Sequence, residues 1–171
     1  MLEVTRTVDA TPERVWSVLA DGWLYPSWVV GASRMRAVDE KWPTPGSQLH
    51  HSVGIWPAVT NDDTVVLESE PPRRLKLQAK GWPAGEATVE LRIERQGDRS
   101  VVTIIEDVTK GPATRIPKSA RQTLIAARNK ETLRRLAYIA EGRSHPDSQE
   151  GPSAGSKDSL HQSRVHGAGE N

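Results

Sequence analysis

The chain has 171 residues, with 23 Lys and Arg against 22 Asp and Glu, for a formal net charge of +1. This near balance leaves no strong field to draw in nucleic acid or an anionic membrane. The absence of cysteine excludes disulfides, zinc-thiolate sites and thiol nucleophiles, and it fits a reducing cytoplasm.

The length suits one domain with a sizeable core. The first residues alternate like a strand rather than forming a basic stretch followed by an apolar one, and no apolar run approaches a membrane span. The sequence therefore predicts a cytoplasmic protein without membrane insertion. Phe is absent while Trp occurs six times.

Leu2, Val4 and Val8 alternate with Glu3, Thr5, Thr7 and Asp9, which predicts a first strand. Thr11, Pro12 and Glu13 offer a capping hydroxyl, a proline at the first helical position and an acid in the first turn. A helix is expected over residues 12 to about 20, ended by Asp21 and Gly22. WLYPSWVV, residues 23–30, is interrupted by Pro26 and reads as a second short helix or an apolar loop.

A strand at residues 32–38 and a turn at 42–46 lead to a return strand at 47–54. On that strand Leu49, His51 and Val53 share one face and Gln48, His50 and Ser52 the other, so one histidine points inward; a bulge at Gly54 would exchange them. Trp56 and Pro57 break the strand, and Asn61 and Asp62 read as a turn. Further strands are expected at 63–70, 73–80, 86–94 and 100–108, the last pair joined through Gln96, Gly97 and Asp98.

A long helix is expected over residues 116–141, with Lys118, Gln122, Ile125, Asn129, Thr132, Leu133, Leu136, Ile139 and Ala140 on one broad face. Its second half is aliphatic and suited to clamping the helix onto a sheet. Its first half carries Gln122 and Asn129 around Ile125; these meet water or a polar ligand, or else lie on a solvated flank beside Arg121 and Arg128. Residues 143–171 hold too little apolar surface to offset the entropy of ordering and are expected to be a disordered polar tail to a domain spanning 1–142. The histidines there, His145, His161 and His166, are too irregularly spaced for a metal site.

A strand, one or two short helices, about six antiparallel strands and a terminal helix make an α+β layout in which the helix covers a curved sheet. Concave gaps in such a layout are where small molecules bind. VTRTVDATPERVWSVLAD (4–21), WLYPSWVV (23–30), LHHSVGIWP (49–57), VLESEPPRRLKL (66–77) and the arginine-rich terminal helix together resemble the helix-grip superfamily of START domains and the birch-pollen allergen. Within it they are similar to the bacterial polyketide cyclase/dehydrase and lipid-transport branch, over about residues 1–141. The resemblance implies a sheet of six to seven strands wrapped around the last helix. It leaves activity open, because that superfamily includes lipid carriers, hormone receptors, aromatase/cyclases and chaperone-activating domains.

The expected role is to bind or carry a small hydrophobic molecule, a lipid or a polyketide-like aromatic, between sheet and terminal helix. The alternatives are a polyketide aromatase/cyclase or dehydratase using the same cavity and a protein-interaction module. The candidate ligand-binding residues are Trp23, Trp28, Leu49, His51, Val53, Trp56, Trp82, Gln122, Ile125 and Asn129. His51, a near-neutral imidazole, and Glu106, which shares a face with Val102 and Ile104, are the candidate proton carriers; Val101, Thr103 and Ile105 compete with that set for the inner face. No nucleotide-binding glycine loop, Ser/His/Asp signature or metal-ligand cluster occurs, and no cofactor is expected.

Overall fold

The computed structural model describes residues 1–55, 57–81, 85–111 and 117–142. The expectations for Trp56, Trp82 and the tail at 143–171 lie outside these residues. Seven strands are present: β1 (Leu2–Val8), β2 (Ala32–Val38), β3 (Gln48–Ile55), β4 (Ala58–Glu70), β5 (Arg74–Gly81), β6 (Gly85–Gln96) and β7 (Arg99–Lys110). They form one antiparallel sheet in the order β1-β7-β6-β5-β4-β3-β2. Only β1 and β2 are not sequential neighbours in space; they lie at opposite edges, and the chain between them forms α1 (Pro12–Leu19), a 3-10 turn (Gly22–Leu24) and α2 (Tyr25–Trp28). The terminal helix α3 (Lys118–Gly142) packs against β1, α1 and α2, which gives the α+β helix-grip arrangement.

The alternation read in the sequence sets the two sheet faces. Leu75, Leu77, Leu91, Ile93, Val102 and Ile104 are buried on the inner one. On the outer face Arg74 meets Glu68, Glu70 and Glu90, and Lys76 meets Glu68, so Arg74 belongs to a solvated ladder of ion pairs. In α3, Leu133, Leu136, Ala137 and Ala140 are fully buried and hold the C-terminal half of the helix to the core. Burial of each leucine contributes about 1.5–3 kcal/mol.

Two local expectations are corrected. Asn61 and Asp62 do not turn: β3 and β4 pair from Ile55–Ala58 onward, so these residues sit within β4 opposite Ser52 and His51. Their weak strand propensity is overridden by a full ladder and by the Ser52 Oγ to Asn61 Oδ1 hydrogen bond of 3.4 Å. The hydroxyl of Thr11 does not cap α1; it turns to the Glu13 carboxylate, and the backbone carbonyl of Thr11 accepts from Arg14 and Val15 instead.

Gly85 begins β6 at φ +121°, and a Cβ there would lie 1.8 Å from the Lys110 carbonyl oxygen. Only glycine lets β6 and the end of β7 approach this closely.

Candidate ligand cavity

The polar N-terminal half of α3 stands over the inner sheet face without filling the space beneath it. What remains is a cavity of about 370 Å³. Val53, Leu77, Ala79, Ala87, Val89, Leu91, Ile104 and Val108 form its sheet wall, Trp28 to Ala32 one side, and Arg121, Leu124, Ile125, Arg128, Asn129 and Thr132 its cover. The volume falls within the range of about 300–1,000 Å³ typical of small-molecule pockets. Small residues at Ala79 and Ala87 keep the space open where larger inward side chains would close it.

Two polar groups of residues interrupt this apolar lining. At the α3 side, Glu106 is buried, and its Oε2 accepts from Arg128 and from Asn129 Nδ2 at 2.9 Å. Arg128 also donates to Asn129 Oδ1 at 3.2 Å. The carboxylate is therefore neutralised by a guanidinium that remains partly in water.

At the α2 side, His51 is 3% exposed, and its Nε2 lies 2.9 Å from Thr64 Oγ1, which lies 3.3 Å from the Tyr25 hydroxyl. The Tyr25 ring packs at 5.1 Å from the His51 ring and edge-on at 5.3 Å from that of Trp28. Burial lowers the His51 pKa, partly opposed by the neighbouring Ser52 backbone, and raises that of Tyr25, so both are neutral at pH 7. His51 Nδ1 and Trp28 Nε1 are buried without a hydrogen-bond partner. Beside them, burial pushes Asp62 up to about 6, although its carboxylate accepts the Asp63 N–H at 2.8 Å.

Of the residues singled out in the sequence, Trp28, His51, Val53, Glu106, Ile125 and Asn129 line this one cavity. His51 faces it, while His50 points outward to Asp63 Oδ1 at 2.7 Å. The set Val102, Ile104 and Glu106 is the inner one on β7. Glu106 and His51 have separate partners, so the carboxylate does not hold the imidazole.

The remaining candidates are placed elsewhere. Leu49 is fully buried in the core, against the position of Gly22, and does not line the cavity. Trp23 is 62% exposed beside a separate recess with Asp21, Asp39 and Trp42, because the 3-10 turn rotates it outward. Gln122 also stands off, since the helix presents the ridge Arg121, Ile125, Arg128 and Asn129 to the cavity. That phase brings inward Arg121 and Arg128, both placed on the outer surface by the sequence pattern.

Tyr25 and Thr64 were not anticipated either. Nothing marks a mid-strand threonine as the partner of a cavity histidine until β3 and β4 are paired.

Among the described residues no helix is long and apolar enough to cross a membrane, and no group of three or more acidic or histidine side chains is placed to hold a metal ion.

Comparison with known structures places the fold. Protein NE0264 from Nitrosomonas europaea superposes with a TM-score of 0.65 at 18% identity, over 83% of this chain and 94% of that one. The di-domain ARO/CYC StfQ from the steffimycin biosynthetic pathway gives 0.66 at 14% identity over 83% of this chain and 50% of its own length, so the likeness spans half of that protein. Ara h 8.0201 gives 0.62 at 13% identity, over 82% and 97% of the two chains. No curated protein sequence matches significantly. The family model described as polyketide cyclase / dehydrase and lipid transport matches residues 1–141, and the chain belongs to that family.

Proposed function

We propose that the protein binds a small, neutral, largely apolar molecule, a lipid or polyketide-like aromatic, in the cavity between sheet and α3. The observation that carries this reading is a largely apolar space of about 370 Å³ left open between the inner sheet face and the N-terminal half of α3. A space kept only by poor packing would destabilise the fold by lost dispersion contacts. A guest that fills the space removes that penalty.

The test is direct. Fluorene, as an apolar ring probe, should change tryptophan emission, because Trp28 stands in the wall. Ala87→Phe, which projects a ring into the space from β6, should abolish the change. No response to fluorene in the wild-type protein, or an equal response in Ala87→Phe, would refute binding at this site.

A catalytic reading, as a cyclase or dehydratase, draws support from one feature: His51 is a neutral imidazole in contact with the cavity. It would exchange protons with a bound carbonyl compound, with Glu106 the second candidate. His51→Ala should then leave ligand retention in native mass spectrometry intact while lowering turnover by about 10²–10⁴-fold. A carrier would show retention without any conversion to be lost.

A further inference from the structure

We infer that guest binding in the cavity is coupled to proton uptake by Asp62, so that an apolar guest is held in mildly acidic solution and released as the carboxylate ionises. The inference rests on the reading of the cavity as a ligand site.

The geometry comes from β4. Asp62 is the register partner of His51, so the two share the inner face, and Asp62 stands in the cavity wall at 7% exposure. Its carboxylate accepts the Asp63 N–H at 2.8 Å, and among the described residues no side chain donates to it. Across β5 and β6 the adjoining wall is Ala79, Ala87 and Gly85, which offer no side-chain donor and leave room for a guest beside the carboxylate. An ionised Asp62 therefore depends on solvent in the open cavity for much of its solvation.

The charged and titratable groups around Asp62 supply no counter-ion. His51 of β3 and Tyr25 of α2 are neutral at pH 7 and engaged with Thr64. Asp63 adds like charge and turns outward to His50 and Arg36. Lys80 of β5 opposes the effect of burial only weakly and forms no ion pair with Asp62. Glu86 of β6 meets Lys110 of β7 at 3.7 Å, and Glu106 of β7 takes Arg128 of α3. Arg121 of α3 lines the cavity without pairing to Asp62.

With the cavity open, burial already pushes Asp62 up to about 6. An apolar guest replaces the solvent left beside the carboxylate and disfavours its charged form further. The occupied protein then holds the proton more tightly than the empty one, and by linkage the guest binds the protonated protein more tightly. Affinity is full well below pH 6, falls as the pH rises through about 6, and levels off above the pKa of the occupied state. If occupancy raises that pKa by about one pH unit, the two limits differ by about 10-fold. Charging of His51 in acid would weaken the binding of an apolar guest and so has the opposite sign.

Fluorene has no titrating group, so any pH dependence of its binding belongs to the protein. Its dissociation constant for the full-length chain, read from tryptophan emission, should be about 5- to 10-fold weaker at about pH 8 than at about pH 5. Asp62→Asn, which cannot ionise, should hold the acid value of the wild type at both. Equal affinities at the two pH values in the wild type, or the same fall in Asp62→Asn, would overturn the coupling and leave the binding site itself standing. No fluorene binding at either pH would refute the ligand site and the coupling with it. Should Asp62→Asn fail to fold, ¹³C NMR titration of the Asp62 carboxyl in the wild type still decides. Its midpoint should rise by about one pH unit with saturating fluorene, and an unmoved midpoint would refute the inference.

Discussion

Asp62→Asn should stabilise the protein at neutral pH and not in acid. Asp62 is 7% exposed on β4, and burial raises its carboxyl pKa from 3.8 to about 6. A raised acid pKa means that the folded state holds the proton more tightly than the unfolded chain does. Its contribution is therefore most favourable below about pH 4 and is lost as the pH rises through about 6. At 1.36 kcal/mol per pH unit the interval sets an upper limit of about 3 kcal/mol. Asp62 lines the cavity rather than being sealed in the core, so solvent screening reduces this, and about 1–2 kcal/mol is expected. Asparagine keeps an acceptor for the Asp63 N–H and cannot ionise. Urea unfolding of both proteins at about pH 4 and about pH 7 reads the effect as a difference, in which the other titrating groups cancel. A stability difference that is the same at both pH values would refute the desolvation argument.

Other substitutions separate the two halves of α3 and test the fixed points of the sheet. Leu136→Ala, at a fully buried position, should cost about 2–5 kcal/mol in urea unfolding, whereas Leu124→Ala, at 67% exposure over the cavity, should stay within about 0.5 kcal/mol. Arg128→Met leaves the buried Glu106 with Asn129 alone and should cost about 2 kcal/mol; adding Glu106→Gln should recover part of that in a double-mutant cycle, and a fully additive pair would refute the coupling. Gly85→Ala should cost more than about 3 kcal/mol or prevent folding, because its methyl group meets the Lys110 carbonyl, while Gly97→Asn in the open β6–β7 turn should be tolerated.

The fold was legible because its strands have one wet and one dry face: the alternation in residues 73–80 and 86–94 fixes register and side at once. The clamp half of α3 was legible for a similar reason, as Leu133 and Leu136 recur at helical spacing. The cavity half was not, since polar residues surround the helix there and a rotation of one residue exchanges Gln122 for Arg121. Arg128 illustrates the limit. Its charge suggests solvent, and only the position of Glu106 on β7 shows why a guanidinium reaches inward. Thr64 was hidden more deeply, because its partners come from β3 and α2 and its role exists only after both have been placed.

These cases share a physical cause. Apolar patterning specifies which surfaces leave water, but it does not say where two buried surfaces fail to meet. That gap depends on side-chain volumes contributed by several strands and on the angle at which α3 is held. Here the hold is at one end: Leu133, Leu136, Ala137 and Ala140 are sealed, while Leu124 and Arg128 at the other end remain exposed above the space. A helix anchored through its C-terminal half can shift at its N-terminal half without breaking the core. If the cavity holds a guest as proposed, the end that supplies Arg121, Leu124 and Ile125 is the least costly place to admit it.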